Sequence, residues 1–455
     1  MTTDDQRQTT NDRRPMTTLR LAWFSPLPPA RSGVASYTAE LVPLLQHELA
    51  IDCFPESRAH DFIWQHRRAP YDLVVYQLGN SPCHDYMWPY LVAYPGLVVL
   101  HDPRLHHARA RLLLSQKRFD SYRHEFWFDH PDATRDFVEY AIEGLGGPIY
   151  YFWSMLRVLM NTARVVAVHN ERVADGLRAS FPEAIVRAIP LGKAPLEASR
   201  VERQETRADL GVSKTGVVFA VFGTLTPEKR IAPILRAFAA TVRDGVDAWL
   251  WLVGDAAAYP SLVMELEELA IADRVRVTGH VSERAIGMYL EAADVCLCLR
   301  WPTALETSAA WLHCLAAGRP TVITDLAHLV DVPTIDPRHH RAPAPLSAED
   351  ARRHGTVAMR IDLLDEDHAL RVAMRTLATD ISWREALASA GHAYWLANHT
   401  IELTAARYRD VIHEAAARPA PVCTDLPRHF REDYTELTRR IADHFGISDA
   451  VPFLR

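Results

Sequence analysis

The feature that most constrains the fold is a regular alternation of short apolar runs with helix-forming stretches, which occurs in two successive series. The first series starts at residues 19–24 and the second at residues 216–222, and the polar segment 193–212 separates them. Apolar runs of about four to eight residues are typical of strands buried on both faces, and their alternation with helices is typical of parallel sheets. The sequence therefore predicts an α/β protein with two doubly wound domains that face a cleft.

The two series set the expected domain boundaries. Residues 1–18 are polar and charged and lack an apolar core, which predicts a disordered tail. Helices are expected over 366–398 and 400–416, and the tail should contain an amphipathic helix over 431–445. The expected segments are the tail 1–18, an N-terminal Rossmann-like domain 19–195, a C-terminal Rossmann-like domain 196–400, and C-terminal helices 401–455 that could cross back to the first domain.

Charge and composition exclude several classes of protein. A net charge of −7 argues against a nucleic-acid partner that is bound by bulk charge. No run of about 18 apolar residues occurs, so no transmembrane helix is expected. The six cysteines are scattered, and no spacing among them is typical of a zinc site, which favours a reducing compartment. These observations predict a cytoplasmic protein whose one place of lipid contact would be the inner face of the membrane.

The stretch 300–325 places polar side chains at the start of a helix between two strands. Residues 294–299 are predicted to form the first strand, 309–317 the helix and 320–323 the second strand. A helix start offers unpaired N–H groups and a positive dipole, which suit a phosphate. Thr307 or Ser308 would cap the helix, and Glu306 would accept hydrogen bonds from a ribose. An ordinary N-cap beside a surface glutamate explains the same pattern equally well.

Polar residues also follow the predicted strands of the first domain. His101 and Asp102 follow the apolar run 96–100, and Asn80 follows the run 71–78. Open α/β sheets bind ligands at the carboxyl ends of their strands, so these three residues and His84 are candidate site residues. Asn80, His84 and Asp102 would lie on the acceptor side of such a site. For His84 a surface side chain is the equally weighted alternative. Gly33, before a predicted helix over 34–47, would let a ligand approach the backbone, although a glycine there more often serves only the turn.

The second domain offers groups for a diphosphate. Lys229 lies at the start of a predicted helix over 231–242, and with Thr307 and Ser308 it could neutralise and hydrogen-bond two phosphates. Transfer of a sugar from a nucleotide sugar needs stabilisation of the departing diphosphate and an oriented acceptor, and little covalent chemistry. No Asp-x-Asp motif follows a strand, so no metal is expected. Dinucleotide, Walker A and Gly-x-Ser-x-Gly motifs do not occur in the sequence.

Residues 104–159 are predicted to be mostly helical and are rich in aromatic side chains. Two clusters stand out, 126–128 (FWF) and 150–153 (YYFW). Such side chains could line an acceptor pocket or rest on a lipid surface. Packing in a hydrophobic core is the more frequent explanation.

Several segments in a fixed order resemble glycosyltransferase family 4, whose members have the GT-B fold of two Rossmann-like domains. Together they extend from about residue 19 to residue 415, and they identify the family only in combination. The matching segments are 25–38 (SPLPPARSGVASYT), 100–103 (LHDP), 189–192 (IPLG), 222–230 (FGTLTPEKR), 252–254 (LVG), 279–281 (GHV), 292–324 and 394–408.

The resemblance implies a retaining, metal-independent hexosyltransferase without a cofactor, which binds its nucleotide-sugar substrate mainly on the second domain. The first domain would then bind the acceptor, a cell-surface polysaccharide or lipid-linked glycan, with peripheral membrane contact. His101 and Glu306 would be catalytic and lie near the reacting sugar. The implied donor residues are Gly33 and Lys229 at the diphosphate, Thr307 and Ser308 at its distal phosphate, His280 and Val281 at the nucleobase, and Thr224, Arg230, Gly254 and Arg300 around them.

The sequence departs from the family pattern at two positions. Thr224 stands where the family usually has arginine, and His313 stands where a second glutamate would fall. Helical spacing would put Glu306 and His313 on one helix face, about 10 Å apart. These departures keep open a non-catalytic GT-B protein that binds a nucleotide sugar or a partner. A sugar-nucleotide epimerase or a phosphorylase is a further alternative.

Overall fold

Alternate residues of the central strands enter opposite hydrophobic cores, which is the packing that a doubly wound sheet requires. The computed structural model describes residues 18–196, 203–339, 355–431 and 436–447. In the first sheet Leu21 and Trp23 pack in one core, and Ala22 and Phe24 pack in another. The second sheet repeats this arrangement with a separate pair of cores. The predicted fold class, two Rossmann-like parallel sheets, is confirmed.

The first sheet has six parallel strands in the order β2-β1-β3-β4-β5-β6. All residues of β3 are buried, as expected for an apolar run in the middle of a parallel sheet. The strands are β1 (Arg20–Phe24), β2 (Ala50–Phe54), β3 (Leu73–Leu78), β4 (Leu97–Leu100), β5 (Val165–Val168) and β6 (Val186–Ala188). The helices of this part are α1 (Gly33–Leu45), α2 (Asp61–Arg68), α3 (Met87–Ala93), α4 (His106–Ser115), α5 (Phe119–Asp129), α6 (Arg135–Ile142), α7 (Arg157–Thr162) and α8 (Glu171–Ser180).

The second sheet has seven parallel strands in the order β12-β13-β11-β10-β7-β8-β9. They are β7 (Val217–Phe222), β8 (Ala248–Val253), β9 (Val275–Val277), β10 (Val295–Cys298), β11 (Thr321–Thr324), β12 (Thr334–Ile335) and β13 (Ala358–Ile361). The helices are α9 (Arg203–Asp209), α10 (Ile231–Arg243), α11 (Leu262–Glu268), α12 (Glu283–Ala292), α13 (Ala309–Ala316), α14 (Glu366–Thr379), α15 (Ile381–Asn398), α16 (Ile401–Ala417), α17 (Arg428–Arg431) and α18 (Glu436–His444).

Four helices, α4 to α7, form an insertion between β4 and β5. Tyr122 and Phe126 are fully buried there, in a small core of their own. The prediction that the aromatic stretch packs as core is confirmed for these side chains. Phe152 is different, because 67% of it is exposed, and it lies in the loop that leads to α7.

The C-terminal helices bring the chain back to the first sheet. The predicted helix 366–398 is two helices, because Asp380 interrupts it and caps α15 by accepting a hydrogen bond from the N–H of Ser382, 2.9 Å. The following helix, α16, packs against α1. Its Tyr408 ring lies 5.8 Å from the ring of Trp23 in β1. The part of the chain after the second sheet therefore contributes to the core beneath the first one.

Edge strands account for most of the differences from the expected elements. The segment 188–192, which the sequence also predicts as a short strand, is not one, because β6 ends at Ala188. The strands β2 and β12 were not predicted. In β2 buried and exposed residues alternate around Asp52, so it lacks the continuous apolar run of a central strand. Two further predictions cannot be compared in full, because residues 1–17 and 432–435 lie outside the described residues.

The part of the chain that the structure describes contains neither a candidate membrane-spanning helix nor a cluster of metal-binding side chains. No helix there is long and apolar enough to cross a lipid bilayer. Likewise, no group of three or more metal-binding side chains occurs among those residues. All six cysteines are free, and the sulfur atoms of Cys298 and Cys314 lie 3.8 Å apart.

Candidate functional site

The second sheet has its topological switch point between β7 and β10. From β7 the chain proceeds to β8 and β9 on one side, whereas β10 leads to β11 and β13 on the other. Open α/β sheets bind ligands in the crevice that forms where the strand order reverses. The loops that leave these two strands, 223–230 and 299–308, contain most of the residues predicted to hold the donor.

Lys229 lies in a short 3-10 turn, Pro227–Lys229, between β7 and α10. Its amino group donates a hydrogen bond to the carbonyl oxygen of Phe222 and lies so close to Gly223 that a Cβ there would be 2.7 Å from Nζ. Among the described residues, none of the carboxylates forms an ion pair with it. Burial, and then the nearby charge of Arg300, lower the pKa of Lys229 to about 7. An anion at this position would favour the charged form again.

The carboxylate of Glu306 is held at both of its oxygen atoms. Oε1 lies 2.6 Å from Nε of Arg300, and Oε2 accepts a hydrogen bond of 2.8 Å from the hydroxyl group of Thr303. The side chain is 12% exposed. Glu306 precedes α13 and is not part of it, so the expectation that Glu306 and His313 share a helix face is wrong. The chain turns at Leu305, which has a φ of 66°, before the helix begins.

The start of α13 presents a capped helix end to the cleft. Ser308 is its N-cap and accepts a hydrogen bond of 3.2 Å from the N–H of Trp311. The hydroxyl oxygen of Thr307 lies 3.5 Å from the carbonyl oxygen of His169, which directly follows β5 of the first sheet. The predicted cap is confirmed, and the helix start lies opposite the edge of the other sheet.

His101 lies on that opposite edge, in a chain of hydrogen bonds. Its Nε2 is 2.7 Å from the Gln77 side-chain oxygen, and its Nδ1 is 3.1 Å from Nε2 of His169. Nδ1 of His169 lies 2.9 Å from the carbonyl oxygen of Ile189, an acceptor only, so this nitrogen carries the hydrogen. His169 then accepts from Nδ1 of His101, so Nε2 of His101 is an acceptor. The Gln77 amide must therefore turn its NH2 group, which otherwise has no hydrogen-bond partner among the described residues, toward this nitrogen in place of its oxygen. Burial, more than any other cause, lowers the pKa of His101. Burial also lowers the pKa of His169 to about 4, so both rings are neutral.

Asp102 connects this edge to the second sheet. It accepts a hydrogen bond of 2.6 Å from the N–H of Asn80. Burial, and then the charge of Glu306, raise the pKa of Asp102 to about 6, while the Asn80 N–H and the charge of Arg300 act in the opposite direction. The carboxyl groups of Asp102 and Glu306, which come from different sheets, therefore interact across the cleft.

Asn80 and His84 support the loop that carries His101 and Asp102. The Asn80 side chain donates to the carbonyl oxygen of Arg104, 2.8 Å, and accepts from the N–H of Ala108, 3.1 Å. His84 is buried, so the alternative of a surface side chain is wrong. Its Nδ1 lies 2.8 Å from the carbonyl oxygen of Gln77, and burial lowers its pKa to about 4. Both side chains therefore form their hydrogen bonds with residues of the first half of the chain.

The other predicted donor residues differ in their placement. Arg230 does not join the group around Lys229, because its guanidinium forms two contacts with Glu366 in α14, 2.8 and 2.5 Å. A Cβ on Gly254 would lie 2.2 Å from the carbonyl oxygen of Gly223, so this glycine lets the two strand-end loops approach each other. The remaining residues are Gly33 with open space beside it, exposed Thr224 and His280, and Val281, which packs on the second sheet.

Gln77, Tyr151 and His169 are residues of the site that sequence reasoning missed. The hydroxyl group of Tyr151 donates to the carboxylate of Glu228 across the cleft, 3.1 Å. His169 directly follows β5, so the rule that selected His101 at the end of β4 could have selected it as well. Gln77 lies inside a strand, and no pattern in the sequence distinguishes it.

Comparison with known proteins agrees with the fold. The family model of group 1 glycosyl transferases matches residues 216–340. The alpha-monoglucosyldiacylglycerol synthase of Streptococcus pneumoniae is 25% identical over 195 residues, 41% of this chain and 43% of that protein. The lipopolysaccharide core biosynthesis glycosyltransferase LpsD of Rhizobium meliloti is 29% identical over 187 residues, 41% of this chain and 46% of that protein. The chain thus spans less than half the length of these curated relatives.

Two solved structures resemble nearly the whole chain. Anabaena HepE, in complex with UDP-glucose, superposes with a TM-score of 0.59 at 14% identity and covers 87% of this chain and 99% of that one. WaaG, a glycosyltransferase involved in lipopolysaccharide biosynthesis, gives a TM-score of 0.57 at 12% identity, with 86% and 99% covered. Residues 216–340 therefore resemble a group 1 glycosyltransferase domain, within a chain that has the GT-B fold.

Proposed function

We propose that the protein is a retaining glycosyltransferase of family 4 that transfers a hexose from a nucleotide sugar to a glycan or lipid-linked acceptor. The observation that carries the proposal is the enclosed amino group of Lys229 at the switch point of the second sheet. It has no ion-pair partner among the described carboxylates, and Arg300 adds a second positive charge beside it. A buried cation without a counter-ion is costly, and a bound diphosphate would offset that cost.

Arg300 would supply the cation that Thr224 lacks, although Glu306 pairs with it at 2.6 Å. Thr224 is exposed and uncharged, and Arg230 is engaged by Glu366. Arg300 comes instead from the loop after β10, and its charge acts on the same amino group. Two cations and the start of α13 would stabilise the departing diphosphate electrostatically, so we propose that transfer needs no metal ion and no cofactor.

His101 and Glu306 would orient the sugar between the two sheets. In the transfer step the bond between the anomeric carbon and the diphosphate oxygen breaks, and its electron pair leaves with the diphosphate. The acceptor oxygen forms the new bond to that carbon, and its proton passes to the released diphosphate. Retention of configuration is what the family resemblance implies. The fixed carboxylate of Glu306 and the neutral ring of His101 favour a positioning role for both side chains.

Relatives suggest the first substrates to test. HepE was solved with UDP-glucose, and the two curated relatives are a glycolipid synthase and a lipopolysaccharide core enzyme. We therefore propose UDP-glucose as the first donor and a membrane-associated glycan or lipid as the acceptor, met at the inner face of the membrane. The proposed domains are 19–195 for the acceptor, 196–400 for the donor and 401–455 as helices that return to the first domain.

The direct test is a thermal-shift titration with UDP, GDP, ADP, dTDP and CMP, with and without magnesium. A nucleotide at 100 times its dissociation constant adds about 2.7 kcal/mol, which corresponds to a shift of several degrees for domains of this size. We expect one base to give this shift independently of magnesium. Lys229→Ala should abolish it, whereas Lys214→Ala, at an exposed position in the turn before β7, should not. The absence of a shift with every nucleotide would contradict the proposal.

A non-catalytic protein that binds a nucleotide sugar is the second candidate. The observation that favours it is the engagement of both oxygens of Glu306 by Arg300 and Thr303. Such a protein would show the thermal shift, yet it would neither transfer nor hydrolyse any sugar from a donor panel. Turnover that is lost in Glu306→Ala while nucleotide binding persists would exclude this candidate.

A further inference from the structure

Beside Glu306 lies a second cavity, of about 550 Å³, which both halves of the chain line. We call it the arginine pocket, after Arg104, Arg157 and Arg172 in its wall. The first half contributes these arginines from the loop after β4 and from α7 and α8. The second half contributes Leu305 and His328. His328 also lines the small cavity around Glu306 and Arg300, so the two cavities are neighbours.

Two of the three arginines are held by main-chain oxygen atoms and not by carboxylates. Arg104 donates to the carbonyl oxygen of Tyr151, and Arg157 donates to that of Asp129, 3.3 Å. In the described residues neither forms an ion pair, and the buried Nε of Arg157 has no hydrogen-bond partner there. Arg172 differs, because Asp331 neutralises it at 2.6 Å. The pocket wall therefore carries two guanidinium groups whose charge is not compensated by direct contact.

The one carboxylate in the pocket wall is already satisfied. Asp129 accepts hydrogen bonds from the hydroxyl group of Ser154, 2.7 Å, and from the N–H groups of Leu156, 3.1 Å, and Arg157, 2.5 Å. It also lies 2.8 Å from Nε2 of His130. These contacts fix Asp129 as the anchor of the loop before α7. Among the described residues the guanidinium groups of Arg104 and Arg157 have no carboxylate partner.

The pocket also has an apolar side. Leu177 and Phe181 of the α8 region and Leu305 line it, together with Phe152, which is 67% exposed. A ligand there would meet cations on one side and apolar side chains on the other. This combination suits a molecule that carries an oxyanion next to an apolar or sugar portion.

We infer that the arginine pocket is an acceptor subsite that binds a phosphate group of the acceptor, with Arg104 and Arg157 as its ligands. The inference rests on the proposed glycosyltransferase function and gives its acceptor a chemical class. Guanidinium groups bind phosphate oxygens through paired, charge-assisted hydrogen bonds. The phosphate would fix the acceptor in the pocket, and its hydroxyl group would extend past His328 and Leu305 toward Glu306.

The test measures binding of phosphorylated probes to the full chain without a donor. Glucose 6-phosphate and glycerol 3-phosphate are titrated by calorimetry, and glucose and glycerol serve as neutral controls. A parallel flotation assay uses vesicles of phosphatidylcholine with and without 30% phosphatidylglycerol. Because the net charge of the chain is −7, bulk attraction does not bring it to anionic vesicles. Binding in solution would identify a free sugar phosphate as the source, and binding in flotation alone would identify a lipid headgroup.

Arg104→Gln and Arg157→Gln are each expected to weaken the binding of the phosphorylated probe about tenfold or more, since each removes a charge-assisted contact. Arg157→Lys should retain part of the affinity, which controls for a folding defect together with the melting temperature. Arg236→Gln, in an exposed ion pair with Asp367, is the matched control and should bind normally. Equal affinity of both Gln variants and the wild type, or no preference for phosphorylated over neutral probes, would overturn the inference.

Nucleotide-induced thermal shifts of the same variants separate the two proposals. If the nucleotide shifts persist and phosphate probes do not bind, the acceptor inference fails alone. If no nucleotide binds, the proposed function fails, and the phosphate titration still decides whether the pocket binds anions.

Discussion

Arg300 and Glu306 form an ion pair of 2.6 Å at the carboxyl end of β10, with the carboxylate held from its other side by Thr303. The same guanidinium group acts electrostatically on Lys229 and on Asp102, which belong to different sheets. One arginine thus links the proposed phosphate-binding cation, the proposed sugar-binding carboxylate and the opposite edge of the cleft. This position makes Arg300 the most informative single substitution in the site.

Arg300→Ala is expected to weaken nucleotide binding and to release the Glu306 carboxylate. Loss of a hydrogen bond to a charged group costs about 1.5–3 kcal/mol, which corresponds to a dissociation constant roughly 10 to 150 times larger. Calorimetric titration with the nucleotide found by thermal shift measures the change. Arg300→Lys should recover part of the affinity, because it keeps the charge and loses the planar pair of donors.

The control for Arg300 is Arg236, whose ion pair with Asp367 is exposed. Exposed ion pairs contribute about 0–1 kcal/mol, so Arg236→Ala should leave both binding and melting temperature nearly unchanged. If Arg300→Ala bound the nucleotide as tightly as Arg236→Ala does, Arg300 would have no part in the donor site, and Thr224 would mark a true loss of a cation.

The lowered pKa of Lys229 predicts that the binding of a nucleotide is coupled to the uptake of a proton. In the free protein its pKa is lowered to about 7 by burial and then by Arg300, so the amino group is mostly neutral at pH 8.5. A bound diphosphate raises that pKa toward the usual value, and binding at pH 8.5 must then take up about one proton. At pH 6 the group is already charged, and no uptake from it is expected. Affinity should therefore fall as pH rises above 7.

Calorimetry in buffers with different ionisation enthalpies measures this proton uptake. Lys229→Met removes the titrating group, and it should abolish the coupling while lowering the affinity at pH 6. Lys214→Met, at an exposed position, should leave the coupling intact. An unchanged number of protons in Lys229→Met would show that another group is responsible.

The sequence predicted those parts of the fold and the site that depend on neighbouring residues. Buried runs such as 217–222 predict a strand, and the start of α13 follows from Ser308 and the helix formers after it. The group of Gln77, His101 and His169 was not predicted, because three separate strands bring these residues together only when the sheet forms. Likewise, the engagement of Arg230 depends on Glu366, which is far away in the sequence.

Removing the charge of Asp102 is expected to raise the free energy of unfolding by an amount that depends on pH. Its folded-state pKa is raised to about 6 from its usual value of 3.8, first by burial and then by the charge of Glu306. Between these values the folded chain holds more protons than the unfolded one, so stability falls as pH rises from about 4 to 6. Asp102→Asn should avoid this loss, which is about 3 kcal/mol.

Melting temperatures between pH 4 and 8 test this prediction. The difference between Asp102→Asn and the wild type should widen by several degrees up to about pH 6 and then stay constant. Glu306→Gln removes the second cause of the shift and should narrow the difference. Asp132→Asn, at an exposed position, should show no such trend. A difference that is the same at every pH would contradict the assigned titration.

His169 is expected to act as a positioning residue for His101. Nδ1 of His169 donates a hydrogen bond to the carbonyl oxygen of Ile189, so its Nε2 is free to accept one from Nδ1 of His101. His169 thereby fixes the hydrogen of His101 on Nδ1. His169→Phe keeps a ring of similar shape and removes both hydrogen bonds, so His101 can rotate or change tautomer. We expect kcat to fall about 10- to 100-fold, which corresponds to roughly 1.4–2.8 kcal/mol, while the nucleotide dissociation constant stays within about twofold.

His399 provides a control of the same kind, because it is also buried and its Nδ1 lies 2.8 Å from the carbonyl oxygen of Leu191. His399→Phe loses a comparable hydrogen bond away from His101. Both variants should therefore melt at a lower temperature, but only His169→Phe should lose kcat. If the two variants lost kcat equally, His169 would contribute to stability alone, and the tautomer of His101 would not depend on it.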